Sequence, residues 1–499
     1  MSRLEVPFGR NLAFGTGEIA DQLAYQGFTF MIFTFYYSVI GIDAGAITIV
    51  FILWSIYNAF NDPLLGGLSD RTKTKKLWGG RRRPWMIASM IPLALVMFLL
   101  FTPPGVSEFG DTNAWTVIYM LFVMCLFDTV YTAFSINRTS LYPELFRSDR
   151  ARAEVGAVRR ILMVIALLLA TILPTLLIED MALQDKLRFL NVVWQYRYTG
   201  LIFGAIITVT ILVNVLWGAK EPPYEELEKK QPMKLLEALK ISLTNKKFVI
   251  FALCSTMNWY VFGLIPTIMP VYIKTLFLHK ENNFIWDKLW HSLDFLGELR
   301  ISIPLVVAFL MSILGVAFWA FIDRLIGSKL AFILSMSWWV LVLIPLIFWD
   351  SYWGILIMMA LNGIGLGGSP YFIDKHISNI TDDDELKTGE RREGAYYGVH
   401  ALFVRLSTIL SIGSIALMLS TNGWRVYNPA EEAITDKLVF GLKSLMSLFP
   451  AGALLIGIIF LIFFPLGKKE VDKLQSILNV STTSEAKIET KAEIETDEN

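Results

Sequence analysis

Apolar segments long enough to cross a bilayer recur about twelve times along the 499-residue chain. They fall near 12–41, 45–69, 84–103, 114–137, 155–178, 197–218, 247–275, 300–322, 329–349, 352–373, 394–420 and 438–465. Inside a hydrocarbon core no water satisfies the backbone, so each segment must satisfy its own N–H and C=O groups, as a helix does. Composition agrees: 55% of the residues are hydrophobic and 18% are charged, with a mean hydropathy of +0.53. A soluble chain of this length needs far more polar surface. The expectation is an all-α membrane protein.

The charges between segments alternate. Arg71, Lys73, Lys75, Lys76, Arg81, Arg82 and Arg83 follow the second segment, and Arg138, Arg147, Arg150 and Arg152 follow the fourth. The loops after the third segment and around Asp350 carry no Lys or Arg. Positive loops stay on the cytoplasmic side, which places both termini in the cytoplasm of a multi-pass cell-membrane protein. The stretch 219–246 is rich in charge and proline and then turns amphipathic at Leu235, Leu236, Leu239 and Ile241. It reads as a cytoplasmic linker with an interfacial helix. The chain therefore divides into 1–218, the linker 219–246, 247–467 and a disordered polar tail, 468–499.

The two halves echo each other. "LSDRTKTKK" after the second segment is answered by "FIDRLIGSK" after the eighth, and "YPELFRSDRARAEVGAVRR" by "DDELKTGERREGAYYG". Matching motifs at matching places imply two parallel six-helix repeats with a cavity between them near the midplane. Asp70 and Arg71, with Asp323 and Arg324, are read as a cytoplasmic gate at the repeated motif.

A charge at bilayer depth costs roughly 2.5–3.5 kcal/mol even on the lenient insertion scale. Glu18, Asp21, Gln22 and Tyr25 share one helical face in the first segment. That face either lines a cavity for a polar solute or is a wet helix end. Asn58 and Asp62 lie one turn apart, and Asp62 precedes Pro63. Their oxygens suit a small hard cation or a proton, or a salt bridge that locks helices. Asp128, Tyr131, Thr132, Ser135 and Thr139 recur at helical spacing in the fourth segment, with Asp128 about 21 Å along it. Arg159 and Arg160 open the fifth. In the eleventh, Arg405 lies about 18 Å beyond Glu393, and His400 is either a titrating group or a packing histidine. Cys125 and Cys254 lie in apolar runs and define neither a disulfide nor a metal site. The chain has no Walker loop, GxSxG, HExxH or paired CxxC, so neither an enzyme site nor nucleotide-driven pumping is expected, and nothing points to nucleic acid.

"NDPLLGGLSDRTKTKKLWGGRRRPW", "ITDDDELKTGERREGAYYG" and "FGTGEIADQLAYQG" resemble signatures of the glycoside–pentoside–hexuronide:cation symporters, a branch of the major facilitator superfamily. The resemblance implies twelve transmembrane helices in two pseudo-symmetric six-helix bundles. It also implies alternating-access symport of a sugar, glycoside or related polar solute with H+ or Na+, by a monomer in the bilayer without a cofactor. By the same resemblance the cation site uses Asp62, Thr132 and the positions of Asn58 and Ser135, where the family has acids; Asp128 is a relocated acid. The sugar-site carboxylate falls at Gln22, beside Asp21, its arginine at Arg159, and a lysine of the eleventh helix at Arg405. The family's stacking aromatic falls at Thr139. Thinned acids favour proton over sodium coupling. A lysolipid transporter and a non-transporting receptor on the same fold are the alternatives.

Overall fold

The computed structural model describes residues 6–72, 80, 82–146, 149–220, 235–277, 297–349, 351–389, 392–428, 430, 433–474 and 476–477. Most of the linker and the tail beyond 477 lie outside the described residues, as do the side chains of Asp70 and Arg71. The described chain is helical throughout its spans: α1 (Phe8–Thr34), α2 (Ala44–Arg71), α3 (Arg83–Leu99), α4 (Ala114–Leu145), α5 (Asp149–Leu177), α6 (Phe189–Val213), α7 (Leu235–Thr244), α8 (Lys246–Phe277), α9 (Leu299–Ile326), α10 (Ser328–Leu343), α11 (Tyr352–Thr388), α12 (Glu393–Thr421), α13 (Asp436–Met446) and α14 (Leu448–Phe463). Among the described residues ten spans are long and apolar enough to cross a membrane, α13 and α14 forming one of them. Helices α1 and α3 complete a set of twelve. The polar residues Glu18, Asp21, Gln22 and Gln26 make α1 less apolar, and α3 is only 17 residues long.

Side-chain chemistry sets the helix ends. Asp43 caps α2 by accepting from the N–H groups of Gly45 and Ala46. Asn113 and Thr116 form a reciprocal capping box at the start of α4. Large apolar residues such as Leu53, Phe122 and Ile459 remain exposed on the outer surface, as expected where lipid replaces water.

Packing repeats between the halves. In the first bundle α1 packs on α5 and α6, α2 on α4, and α3 on α4 and α6. In the second, α8 packs on α12 and α14, α9 on α11, and α10 on α11 and α14. These are the same five pairings shifted by one bundle. Close backbone approach makes the tightest of them possible. A Cβ on Gly363 or Gly367 of α11 would lie 2.2 Å from the carbonyls of Ala308 and Ser312 on α9, so only glycine fits there. Helix α7 leans on α8 and α12 of the second bundle.

The bundles meet along α2–α12, α5–α9 and α1–α8. The end bearing α7 is called the linker end here, and the opposite one the distal end. Bonds between bundles crowd the distal end. Tyr37 Oη donates to the Trp424 carbonyl at 2.6 Å, Arg425 pairs with Asp43, and Thr175 and Ser302 share a 2.9 Å hydrogen bond. Lys274 reaches Asp180 at 2.7 Å and Glu298 at 2.6 Å. The ion pairs described at the linker end, Lys247–Asp383, Lys387–Asp383 and Arg392–Asp384, each stay within the second bundle. The molecule is closed distally.

Candidate functional site

Between the bundles lies a cavity of about 1280 Å³, lined by both of them. Its polar centre sits on the α2–α12 seam. Arg405 of α12 donates to Asp62 and Asn58 of α2. The Asn58 amide nitrogen donates to Asp128 of α4, and Asn61 Nδ2 donates to the other Asp128 oxygen at 2.9 Å. Thr132 Oγ1 donates to Asp62 Oδ1 at 2.9 Å. Six side chains from three helices and both bundles thus share one hydrogen-bonded cluster. Asp128 is only 2% exposed, yet both of its oxygens have donors, which is what a carboxylate at this depth requires.

The cavity wall on α1 differs from the sequence expectation. Gln22, Tyr25, Gln26 and Thr29 face the cavity, whereas Glu18 and Asp21 turn into the first bundle. There Arg138 of α4 meets Glu18 at 2.5 Å and Asp21 at 3.3 Å. Arg159 of α5 reaches Glu18 at 2.9 Å and lies 4.3 Å over the Tyr142 ring. Glu18, Asp21 and Arg159 are therefore not cavity groups. Arg138 is 2% exposed, and a guanidinium buried so deeply must draw carboxylates to itself. Arg138 reads as a loop residue only if α4 ends near 137, and α4 runs to Leu145. The carboxylates of the first segment were a signal that a buried counter-charge was needed. Arg160, next along α5, takes the cavity position instead.

His400 is likewise off the cavity. It is buried against α8, where Nε2 and Ser255 Oγ lie 2.7 Å apart, so it acts as a packing histidine. Asp323 accepts from Tyr371 Oη at 2.5 Å and pairs with Lys375. Both partners lie on α11 of its own bundle, so Asp323 pins α9 to α11 rather than bridging the bundles. Arg324 is exposed beside it. Ser135 lines the cavity, as do Asn58, Asp62, Asp128, Thr132 and Arg405. Asn61 and Asp374 were not singled out from the sequence, where an amide and an acid close to a helix end look unremarkable.

Aromatic rings cover one side. Trp54, Phe28, Phe127, Tyr131 and Tyr25 form a continuous chain of ring contacts, the closest being Phe28 and Phe127 with centroids 4.6 Å apart. Opposite them, Ser407, Thr408 and Ser411 of α12 present hydroxyls. Apolar Ile161 and Ile165 of α5 with Leu310 and Ile313 of α9 form a third wall. The cavity offers neutral hydrogen-bonding groups, flat apolar faces, a charge cluster that ties the bundles together, and the further charged side chains Arg160, Asp374 and Lys375.

Known proteins share both sequence and architecture with this chain. An uncharacterised symporter of Synechocystis sp. is 24% identical, over 93% of this chain and 95% of its own length. The sodium-dependent lysophosphatidylcholine symporter 1-A of Danio rerio is 20% identical, over 92% of this chain and 86% of its own. A putative sulfoquinovose importer of Escherichia coli is 21% identical, over 92% and 91%. The crystal structure of the nucleoside transporter NupG superposes with a TM-score of 0.64 at 14% identity, covering 92% of this chain and 99% of that one. It shares the fold. The MFS/sugar transport protein family model matches residues 13–288 and 293–468. Two repeated bundles, a cavity between them and a match across nearly the whole chain have one meaning: this multi-pass membrane protein is a transporter, not an enzyme, and belongs to the MFS/sugar transport protein family.

Proposed function

We propose that the protein is a proton-coupled symporter of a sugar, glycoside or related polar solute, working as a monomer in the cell membrane with the linker end and both termini in the cytoplasm. The observation that carries the coupling is the Arg405–Asp62–Asn58–Asp128 cluster, which is both ion-handling and inter-bundle. Protonating an acid in it removes the charge that Arg405 holds, and so loosens α2 from α12. The cluster's oxygens already accept from Arg405, Thr132, Asn58 and Asn61, so a sodium ion would have to displace protein donors, whereas a proton displaces none. Gln22, Gln26 and Thr29 facing Ser407, Thr408 and Ser411 supply the donors and acceptors that hydroxyl groups need, and Trp54 and Tyr131 supply flat faces.

A second reading has its own observation. The Ile161, Ile165, Leu310 and Ile313 wall is exposed at the α5–α9 seam and suits an acyl chain, as a lysolipid carrier requires. A thermal-shift screen against sugars, glycosides, uronides and lysolipids, with and without sodium at two pH values, separates the two, because a ligand stabilises what it binds. Sugar-type stabilisation is expected. For the coupling ion, solute uptake into proteoliposomes should collapse with the pH gradient. Uptake that survives this and follows a sodium gradient refutes proton coupling.

A further inference from the structure

The two bundles rock about the cavity, so one end closes as the other opens. In the described state the inter-bundle bonds crowd the distal end, apart from those of Arg405 to Asp62 and Asn58 in the cavity. The buried ion pairs among them form the triad of Lys274, 4% exposed, with Asp180 and Glu298. Asp180 belongs to the first bundle's α5–α6 loop, and its second oxygen also accepts from the Gln184 and Asp185 N–H groups. Glu298 further accepts from the Met181 N–H across the seam. Opening the distal end must part this triad, and a buried pair is costly to break unless something replaces it.

Two opposite charges remain without partners in this state. Arg160 of α5 and Asp374 of α11 line the cavity from opposite bundles and are exposed to it. Neither makes a hydrogen bond or ion pair with any described residue. Arg160 lies about 16 Å along α5 from its linker-end start, on the side that narrows when the molecule rocks. The other cavity charges are committed: Arg405 to Asp62, Asp128 to Asn58 and Asn61, Lys375 to Asp323.

We infer that Arg160 and Asp374 are the two halves of an inter-bundle ion gate, open in this state, that closes on the linker side of the cavity when the distal Lys274–Asp180–Glu298 triad parts. One pair replaces the other, so neither end state strands a buried charge. The inference uses only the rocking of the two bundles, not the solute or the coupling ion, so its failure leaves the symport reading standing.

The test needs no solute. Ser378 lines the cavity one turn beyond Asp374. In a Cys125→Ser background, Ser378→Cys serves as an accessibility reporter for a maleimide in purified full-length protein. It should react readily with the triad intact. Lys274→Met, or Asp180→Asn if the first variant misfolds, should slow the reaction about tenfold. Adding either Arg160→Gln or Asp374→Asn should restore it. The exchange Arg160→Asp with Asp374→Arg should slow it again. The inference is overturned if opening the triad leaves the reporter equally reactive. It is overturned equally if Arg160→Gln fails to restore labelling, or if the exchanged pair fails to protect.

Discussion

Arg405 on α12 and Asp62 on α2 join the two bundles at the polar centre of the cavity. The pair shows Asp62 as a helix lock, and the proposed coupling makes the same carboxylate the ion-handling group. Asp62→Asn should therefore abolish gradient-driven accumulation while solute exchange persists. Proteoliposome uptake and counterflow measured side by side check this. Accumulation that survives would make Asp62 structural only.

Arg138 should matter for stability rather than for the solute. Arg138→Met leaves Asp21 buried without its cation and Glu18 with Arg159 alone, and should cost about 3–5 kcal/mol. Arg159→Met should cost less, about 1–2 kcal/mol, because Glu18 keeps Arg138. Denaturation in detergent measures both. Equal losses would mean that the two guanidinium groups share the carboxylates evenly.

The α9–α11 contact predicts an intolerant glycine. Gly367→Ala places a methyl group 2.2 Å from the Ser312 carbonyl and should destabilise by about 1–3 kcal/mol. Gly394→Ala, where a Cβ meets nothing within 4 Å, is the control. The melting temperature of the first should fall and that of the second should hold.

Glu298 predicts a pH dependence of the distal closure. Burial raises its carboxyl above the ordinary range, and Lys274 and the Met181 N–H oppose that rise. Opening the distal end exposes the group and returns it towards its ordinary value. The closed state thus binds protons more tightly than the open one, so a fall in pH through the raised value favours closure. Glu298→Gln should flatten that dependence. A spin-label distance across the distal end, followed against pH, reads it directly; a slope unchanged in Glu298→Gln would assign the effect elsewhere.

The sequence by itself determined that this chain crosses a membrane many times, that its halves repeat, and that acids and arginines lie at bilayer depth. These follow from local properties: the transfer free energy of about twenty consecutive side chains, and motifs that recur in order. Which face of each helix looks into the cavity was decided only by the tertiary structure. Successive residues are turned by about 100° around a helix, so Arg159 and Arg160 point to different neighbours, as do Asp21 and Gln22. Arg138 took Glu18 and Asp21 into the first bundle, leaving Gln22 and Gln26 to the cavity. Asn61 joined Asp128 for the same kind of reason. A buried charge takes its orientation from partners far away in sequence, and those partners are fixed only when the helices pack.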